Sequence, residues 1–304
     1  MKKYFFINSF LLITTIFGCG YAEEQATTQN DEPKFEGEVT QGWRRDSLTW
    51  AITGPHGKPK KISKLKYKDV NVYDTRFQGK VSQDGYFVRG MAGYGVIING
   101  KEQDSDYERG PHTASMKIED SRSHAKVTGD YTFDSQILLG REFILSPAVT
   151  VAPTVGYGFY KMNIRKKKGR MSIPNNHSKN YLKGLNSTEK ATWFGPQAGL
   201  QAKIALSSSF RITGEYNFLF PLQCRKNSYW NLRKLHFRQK THGYGHIGIV
   251  GAEYDLTNQL ALKVEGELMK FSTKGKETKP KWHLHVREME RLAKEVRLSL
   301  IYKF

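Results

Sequence analysis

The chain has 304 residues, a formal net charge of +19 and an aromatic content of 12%. Its mean hydropathy is −0.59, and beyond the amino-terminal segment no apolar run approaches the ~20 residues that a spanning helix needs. These properties exclude a helical membrane protein but suit a closed barrel, in which only alternate residues face lipid.

The first residues have the features of an export signal. A short basic segment precedes an apolar stretch, and Gly20–Ala22 supplies small residues where signal peptidase cleaves. We expect 1–22 to be a cleaved signal peptide and the polar segment 23–34 to be a disordered lead-in. The alternative is a lipoprotein signal acylated at Cys19, which the bulky neighbour Phe17 disfavours.

Segments in which apolar and polar residues alternate recur along 35–304 and predict ten strands. The clearest segments are Val149–Phe159 and Leu260–Leu268. Short turns alternate with longer connections, and the segments 100–123 and 165–190 are predicted to be loops. The sequence therefore predicts an all-β fold, a transmembrane antiparallel up-and-down β-barrel of about ten strands with long extracellular loops.

The last strand ends on an aromatic residue. Apolar side chains alternate with polar ones along Val296–Phe304, so that Tyr302 and Phe304 belong to the apolar face. This ending is typical of outer-membrane barrels, whose final strand closes the barrel and is recognised by the barrel-assembly machinery. We expect Tyr302 and Phe304 to form the membrane-insertion signal. The same feature disfavours the alternative fold, a secreted β-sandwich.

Several charged residues lie on the polar faces of predicted strands. A charge that faces lipid at the bilayer midplane costs roughly 2–4 kcal/mol for Arg or Lys, so these residues should face the lumen. Two interpretations are open: a conducting lumen, which would favour anions if it follows the net charge, or a packed polar core that only stabilises the barrel. The predicted lumen residues are Arg89, Glu215, Lys263, Glu265 and Glu267.

Much of the positive charge falls in the predicted loops. Basic loops beside the outer leaflet attract the phosphates of lipopolysaccharide or other anionic glycans, although solvated loops without a partner are an equally good interpretation. The predicted contact residues are Arg165, Lys166, Lys167, Lys168 and Arg170. Nucleic acid is not expected as a partner, because the chain is exported and has no stacking platform or known motif. No metal site or cofactor is predicted.

The segment Gln103–Tyr107 resembles a motif of the omptin proteases, which are ten-stranded outer-membrane barrels. In that family an Asp-x-Asp followed by an aromatic residue helps to hold the attacking water. Asp104 and Asp106 would lie on one strand face, about 7 Å apart, where two carboxylates can act as a base. The omptin mechanism also needs a His–Asp pair on the opposite wall, but 221–234 contains no His, Asp or Glu, and Trp230 falls at the His position. The resemblance implies omptin architecture without omptin proteolysis.

A second resemblance, to the Protochlamydia-type outer-membrane protein family, covers most of the mature chain in order. The stretches that carry it are Lys64–Val70, Tyr86–Gly95, Gln103–Tyr107, Trp193–Pro196, Glu215–Asn217 and Tyr229–Arg233. Members of that family are regarded as porin-like, so the resemblance implies passive diffusion of small hydrophilic solutes. Ten strands would leave a narrow lumen, since open pores usually need about 16. The alternatives are an omptin-like surface hydrolase and a structural or adhesive barrel whose basic loops bind glycans. The sequence does not indicate an oligomeric state.

Overall fold

The computed structural model describes residues 32–53, 62–109, 117–173, 181–279 and 284–304. The predicted signal peptide 1–22 and most of the predicted lead-in 23–34 lie outside these residues. No helix within the described ranges is long and apolar enough to span a membrane. The strands are β1 (Lys34–Thr53), β2 (Ser63–Gln83), β3 (Tyr86–Arg109), β4 (Lys117–Val127), β5 (Tyr131–Arg141), β6 (Phe143–Ser146), β7 (Val149–Ile173), β8 (Tyr181–Ala205), β9 (Phe210–Trp230), β10 (Leu235–Asp255), β11 (Leu260–Lys279) and β12 (His285–Lys303), and a 3₁₀ turn covers Asn231–Arg233.

The strands are antiparallel and close into a ring. β1 pairs with β12 along the length of both strands. β4 and β5 are two halves of one wall, because β3 pairs with β4 in its upper part and with β5 in its lower part. The chain bends between them at Gly129, whose φ of +67° suits glycine. The ring therefore has ten walls, which confirms the prediction of a ten-stranded antiparallel barrel.

A band of exposed apolar side chains surrounds the lower half of the barrel. Because strand residues alternate between faces, these side chains point away from the lumen and toward lipid. Tyr302 and Phe304 belong to this band and contact each other at 4.8 Å between ring centroids. We call the band the apolar belt, and one member from each wall is Val39, Phe77, Tyr94, Ile137, Tyr157, Leu200, Phe218, Val250, Val264 and Leu298.

The segments predicted to be loops are largely strands where the structure describes them. β3 continues to Arg109 and β4 begins at Lys117, while β7 continues to Ile173 and β8 begins at Tyr181. Above the apolar belt the outer face of each wall meets water instead of lipid. Most outward residues there are polar, so the alternation on which the prediction depended is lost although the backbone pairing continues.

An apolar layer crosses the inside of the barrel. It receives buried side chains from all ten walls, including the fully buried Leu48, Tyr67 and Trp193. Aromatic rings meet at its centre, where Tyr160 lies 5.0 Å and Trp193 lies 6.1 Å from the ring centroid of Phe271. Each fully buried large apolar side chain contributes about 1.5–3 kcal/mol relative to an exposed one. The layer therefore stabilises the barrel and separates a lower interior from an upper one.

Candidate functional site

The predicted lumen residues face inward and bind one another in the lower interior. Arg89 binds both carboxylate oxygens of Glu215, at 2.7 and 2.6 Å. The Lys263 ammonium lies 2.9 Å from Glu38 and 3.2 Å from Glu265. Each of these charges thus has an oppositely charged partner, as burial requires.

The ion pairs continue inward from Glu265. Arg297 binds Glu265 at 3.1 Å and Glu267 at 2.6 Å. Arg76 binds Glu267 at 3.2 Å and also contacts Glu295. A chain of alternating charges therefore connects β2, β11 and β12 inside the lumen.

Arg44 is fully enclosed by these contacts and has no solvent exposure. Its guanidinium donates to Asp46 at 2.9 Å, to Asp134 at 2.6 Å and to Thr132 at 2.7 Å. Arg291, which is equally buried, donates to the second oxygen of Asp46 at 2.9 Å. The hydrogen bonds join walls that are far apart in sequence and fix them around a shared centre.

These ionised residues form what we call the lumen network. Its cavity has a volume of about 50 Å³, and a buried water needs at least roughly 10–15 Å³ measured in this way, so it has room for a few waters. Eight carboxylates face six cations, so the lumen does not follow the positive net charge of the chain. The members are Glu38, Arg44, Asp46, Asp74, Arg76, Arg89, Asp134, Glu215, Lys263, Glu265, Glu267, Arg291, Glu295 and Arg297.

Above the apolar layer the interior opens into a cavity of about 190 Å³, which we call the vestibule. It lies above the apolar belt, on the part of the barrel that projects from the membrane. Much of its wall is apolar or aromatic, and it includes Trp50, Leu65, Tyr229, Trp230 and Phe237. Such a wall suits a ligand with an apolar or aromatic body.

Asp104 and Asp106 both line the vestibule from β3. The Ser63 hydroxyl lies 3.4 Å from Asp104, and the Ser121 hydroxyl donates to Asp106 at 3.3 Å. A third carboxylate, Glu102, lies further down the inward face of the same strand and is buried. The alternation of β3 therefore places three acidic side chains in a row on one wall.

The surroundings of these carboxylates favour their neutral forms. Burial raises the pKa of Asp104 to about 7, and the negative charges of Glu102 and Asp106 act in the same direction. Burial also raises the pKa of Glu102 and that of Asp106 above the ordinary range. A carboxyl with a pKa near 7 can exchange a proton at physiological pH, as a general base or a pH-dependent binding group must.

Two buried lysines partly balance the acidic row. Lys166 lies 3.2 Å from Glu102 and 3.4 Å from Glu189, and Lys226 lies 3.1 Å from Glu189. The Lys226 ammonium is 3.0 Å from the ring centroid of Trp50, and burial lowers the pKa of this lysine to about 8. The sequence predicts that Lys166 contacts anions on the outer surface of the barrel. The structure does not agree with this prediction, because strand alternation turns the Lys166 side chain into the vestibule.

The vestibule retains an excess of acidic groups. Five carboxylates belong to it or lie directly beneath it, whereas three cations among the described residues oppose them: the ammonium groups of Lys166 and Lys226 and the guanidinium of Arg233. Burial raises the pKa of one of the five, Glu277, as it does for the row on β3. The five carboxylates are Glu102, Asp104, Asp106, Glu189 and Glu277.

The wall opposite β3 does not supply the omptin His–Asp pair. Trp230 lies at the top of β9, and the Arg233 guanidinium stacks 4.3 Å from the centre of its ring. The amide of Asn231 anchors the 3₁₀ turn by donating to the carbonyl of Gly184 at 2.8 Å. The nearby His236 stacks on Tyr229 at 4.5 Å and lines an outer groove, not the vestibule.

The outer surface above the apolar belt is basic. On every wall an outward lysine or arginine lies two to five residues above an apolar or aromatic outward residue, and all but Lys161, which is half-buried, are exposed. We call this set the basic girdle: Arg45, Lys68, Lys101, Lys126, Lys161, Lys190, Arg225, Lys240, Lys270 and Lys294.

The basic stretch predicted to contact anions is part of β7 and therefore does not act as one patch. Lys167, Lys168 and Arg170 are exposed, whereas Arg165 lies 3.7 Å from Asp130. Lys168 has a φ of +54°, which marks a local irregularity in the strand. Of the five predicted residues, three are thus available on the outer surface.

The closed ring, the apolar belt and the filled lumen define this protein as an outer-membrane β-barrel. The sequence model of the family described as Protochlamydia outer membrane protein matches residues 38–297. The chain belongs to that family and is a protein of the bacterial outer membrane, which its strands cross repeatedly. No curated protein matches the chain in sequence.

Solved structures of outer-membrane proteins resemble the barrel. The outer membrane protease OmpT from Escherichia coli aligns with a TM-score of 0.73 at 13% identity, covering 93% of this chain and 99% of that chain. The translocator domain of autotransporter NalP from Neisseria meningitidis has a TM-score of 0.39 at 11% identity, covering 91% and 90%. OprG from Pseudomonas aeruginosa has a TM-score of 0.34 at 9% identity, covering 90% and 97%. At these identities the similarity to OmpT shows a shared fold.

Sequence reasoning found the acidic pair on β3 but missed the groups around it. Glu102 continues the pair by one more inward position, and this spacing of two residues was a usable signal. Glu189 and Lys226 lie far away in sequence and reach the vestibule only through the pairing of β8 with β9. No local pattern identifies them.

Proposed function

We propose that this barrel is a cell-surface binding protein, and that its vestibule binds ligands that carry an ammonium or guanidinium group on an apolar or aromatic body. The observation that carries the proposal is the excess of carboxylates in the vestibule of a chain whose outer surface is basic. A buried carboxylate that receives a charge-assisted hydrogen bond gains about 1.5–3 kcal/mol. Aromatic walls add cation–π attraction. Short basic peptides have this combination of groups.

Binding of a fluorescent peptide with two adjacent arginines, compared with the same peptide carrying glutamines, tests the proposal. We expect the barrel in lipid nanodiscs to bind the arginine peptide and the variant Asp104→Asn, Asp106→Asn to bind at least about tenfold more weakly, a loss of about 1.4 kcal/mol. Asp69→Asn is the matched control, because Asp69 is an exposed acid on the outside of β2. Equal affinity of all three proteins, or no binding of the arginine peptide, would contradict the proposal.

Hydrolysis by an omptin-like mechanism is the second candidate. The raised pKa of Asp104, about 7, favours it because a base needs a pKa near the working pH. OmpT, the similar structure, is described as a protease. The lack of His, Asp and Glu in 221–234 argues for binding without cleavage. Mass spectrometry of the peptide after incubation separates the two functions: intact peptide supports binding, whereas cleavage that disappears in the aspartate variant would establish hydrolysis.

Passive diffusion of small hydrophilic solutes stays a prediction from the porin-like family resemblance. The apolar layer and the lumen network fill the described interior, so we expect a closed resting barrel. Recording in planar bilayers tests this expectation. Stable channels at low protein load would restore diffusion as the main function.

A further inference from the structure

Four lysines on the outer face lie in consecutive cross-strand register. Lys68 on β2 is opposite Lys101 on β3, Lys101 is opposite Lys126 on β4, and Lys126 is opposite Lys167 on β7. All four side chains are exposed, and none forms an ion pair with another described residue. We call these four residues the lysine ladder.

A row of like charges in direct register is unfavourable by itself. Residues directly opposite on antiparallel strands have Cβ atoms about 4.5–5.5 Å apart, and like charges at this separation destabilise the pair. The exposed acidic residue Asp69 directly follows Lys68 in the sequence. One carboxylate cannot balance four ammonium groups, so the ladder keeps a concentrated positive potential.

The position of the ladder relative to the apolar belt indicates the source of the counter-charge. Lys101 lies three residues above Ile98, an exposed apolar residue of the belt on β3. Three residues span about 10 Å along a strand. Because the strands tilt by roughly 40° from the membrane normal, this length corresponds to a height of about 8 Å above Ile98. The headgroup region extends roughly 5–8 Å beyond the hydrocarbon on each side. The ladder therefore begins at the level of the lipid headgroups and continues above it.

We propose that the lysine ladder binds an outer-leaflet glycolipid that carries at least two phosphate groups. Neighbouring ammonium groups are close enough for one phosphate to accept hydrogen bonds from two lysines, and charge-assisted bonds of this kind are the strong ones. A lipid with two phosphates spans more than one pair of ladder residues. Bound phosphate converts the repulsion along the row into attraction.

The test compares two variants with the same change in net charge. The ladder variant combines Lys68→Gln, Lys101→Gln, Lys126→Gln and Lys167→Gln. The control variant removes four girdle charges that are not in register with one another, namely Lys190→Gln, Arg225→Gln, Lys270→Gln and Lys294→Gln. All eight side chains are exposed, and gel mobility without heating verifies that each barrel is folded.

The measurement is the affinity of each barrel, in mixed micelles, for a fluorescent glycolipid with two phosphates. We expect the ladder variant to bind about tenfold more weakly than the wild type and the control variant to lose about twofold or less. Equal losses in both variants would overturn the proposal in favour of unspecific attraction, and so would absence of wild-type binding. Inorganic pyrophosphate at the same phosphate concentration should not displace the lipid. If it does so at the ladder, the site binds soluble anions and the proposal is wrong.

Discussion

Replacing Arg44 with methionine should destabilise the barrel strongly. Methionine fills a similar volume but donates no hydrogen bond, so Asp46 and Asp134 each lose a donor. Asp46 keeps its hydrogen bond from Arg291 at 2.9 Å. Asp134 loses the only ion pair that it forms within 4 Å among the described residues. The cost is therefore mainly that of one uncompensated buried carboxylate.

Removing one partner of a buried ion pair typically costs about 3–5 kcal/mol, and we expect Arg44→Met to fall in this range. The second variant, Arg44→Met with Asp134→Asn, removes the orphaned charge as well. It should recover about 2 kcal/mol, because an amide is less costly to leave unpaired than a carboxylate. The free energy of unfolding is measured by urea titration in phospholipid vesicles, with tryptophan fluorescence and gel mobility as two probes.

The double variant decides whether the reasoning holds. If the double variant is no more stable than Arg44→Met alone, Asp134 is not the residue that suffers from the loss of Arg44. A cost below about 1 kcal/mol for Arg44→Met would mean that water replaces the guanidinium freely. The lumen network would then be a hydrated lining and not a packed core, and diffusion through the barrel would regain support.

Three further predictions follow from the described contacts. The affinity of the vestibule for the arginine peptide should rise between pH 6 and pH 8, because Asp104 has a pKa of about 7 and binds a cation only when ionised; Asp104→Asn should flatten this profile in fluorescence titrations. Gly156→Ala should lower stability by about 1–3 kcal/mol, because its Cβ would overlap the carbonyl oxygen of Ile137, whereas Gly248→Ala, which meets nothing within 4 Å, should be nearly neutral in the same urea titration. Planar-bilayer recordings of the wild type should show no stable conductance, and Arg44→Ala should open transient events if the network closes the lumen.

The sequence predicted the membrane-embedded half of the barrel well, for a physical reason. Lipid outside and ionised groups inside impose opposite requirements on neighbouring residues. The alternation of Leu262 and Val264 with Lys263 and Glu265 therefore records the fold directly. The number of walls followed from counting these segments.

Above the belt the same reasoning failed, because water replaces lipid on the outer face. Lys167 is exposed and Lys166 is buried, but both are lysines, so no polarity contrast separates outside from inside. The prediction consequently treated 165–170 as one basic loop. Similarly, the partners Glu189 and Lys226 meet only through strand pairing, which local patterns do not determine.

The positive net charge illustrates why composition alone is a poor guide to the lumen. The chain has a formal charge of +19, yet carboxylates outnumber cations in both the lumen network and the vestibule. The excess of basic residues lies on the outer wall, where every wall contributes a girdle residue. A charge on that surface acts on the membrane and on other molecules at the cell surface, while a charge inside acts on whatever enters the vestibule. Opposite signs on the two surfaces therefore favour different partners: anionic lipid outside the barrel and cationic ligands within it.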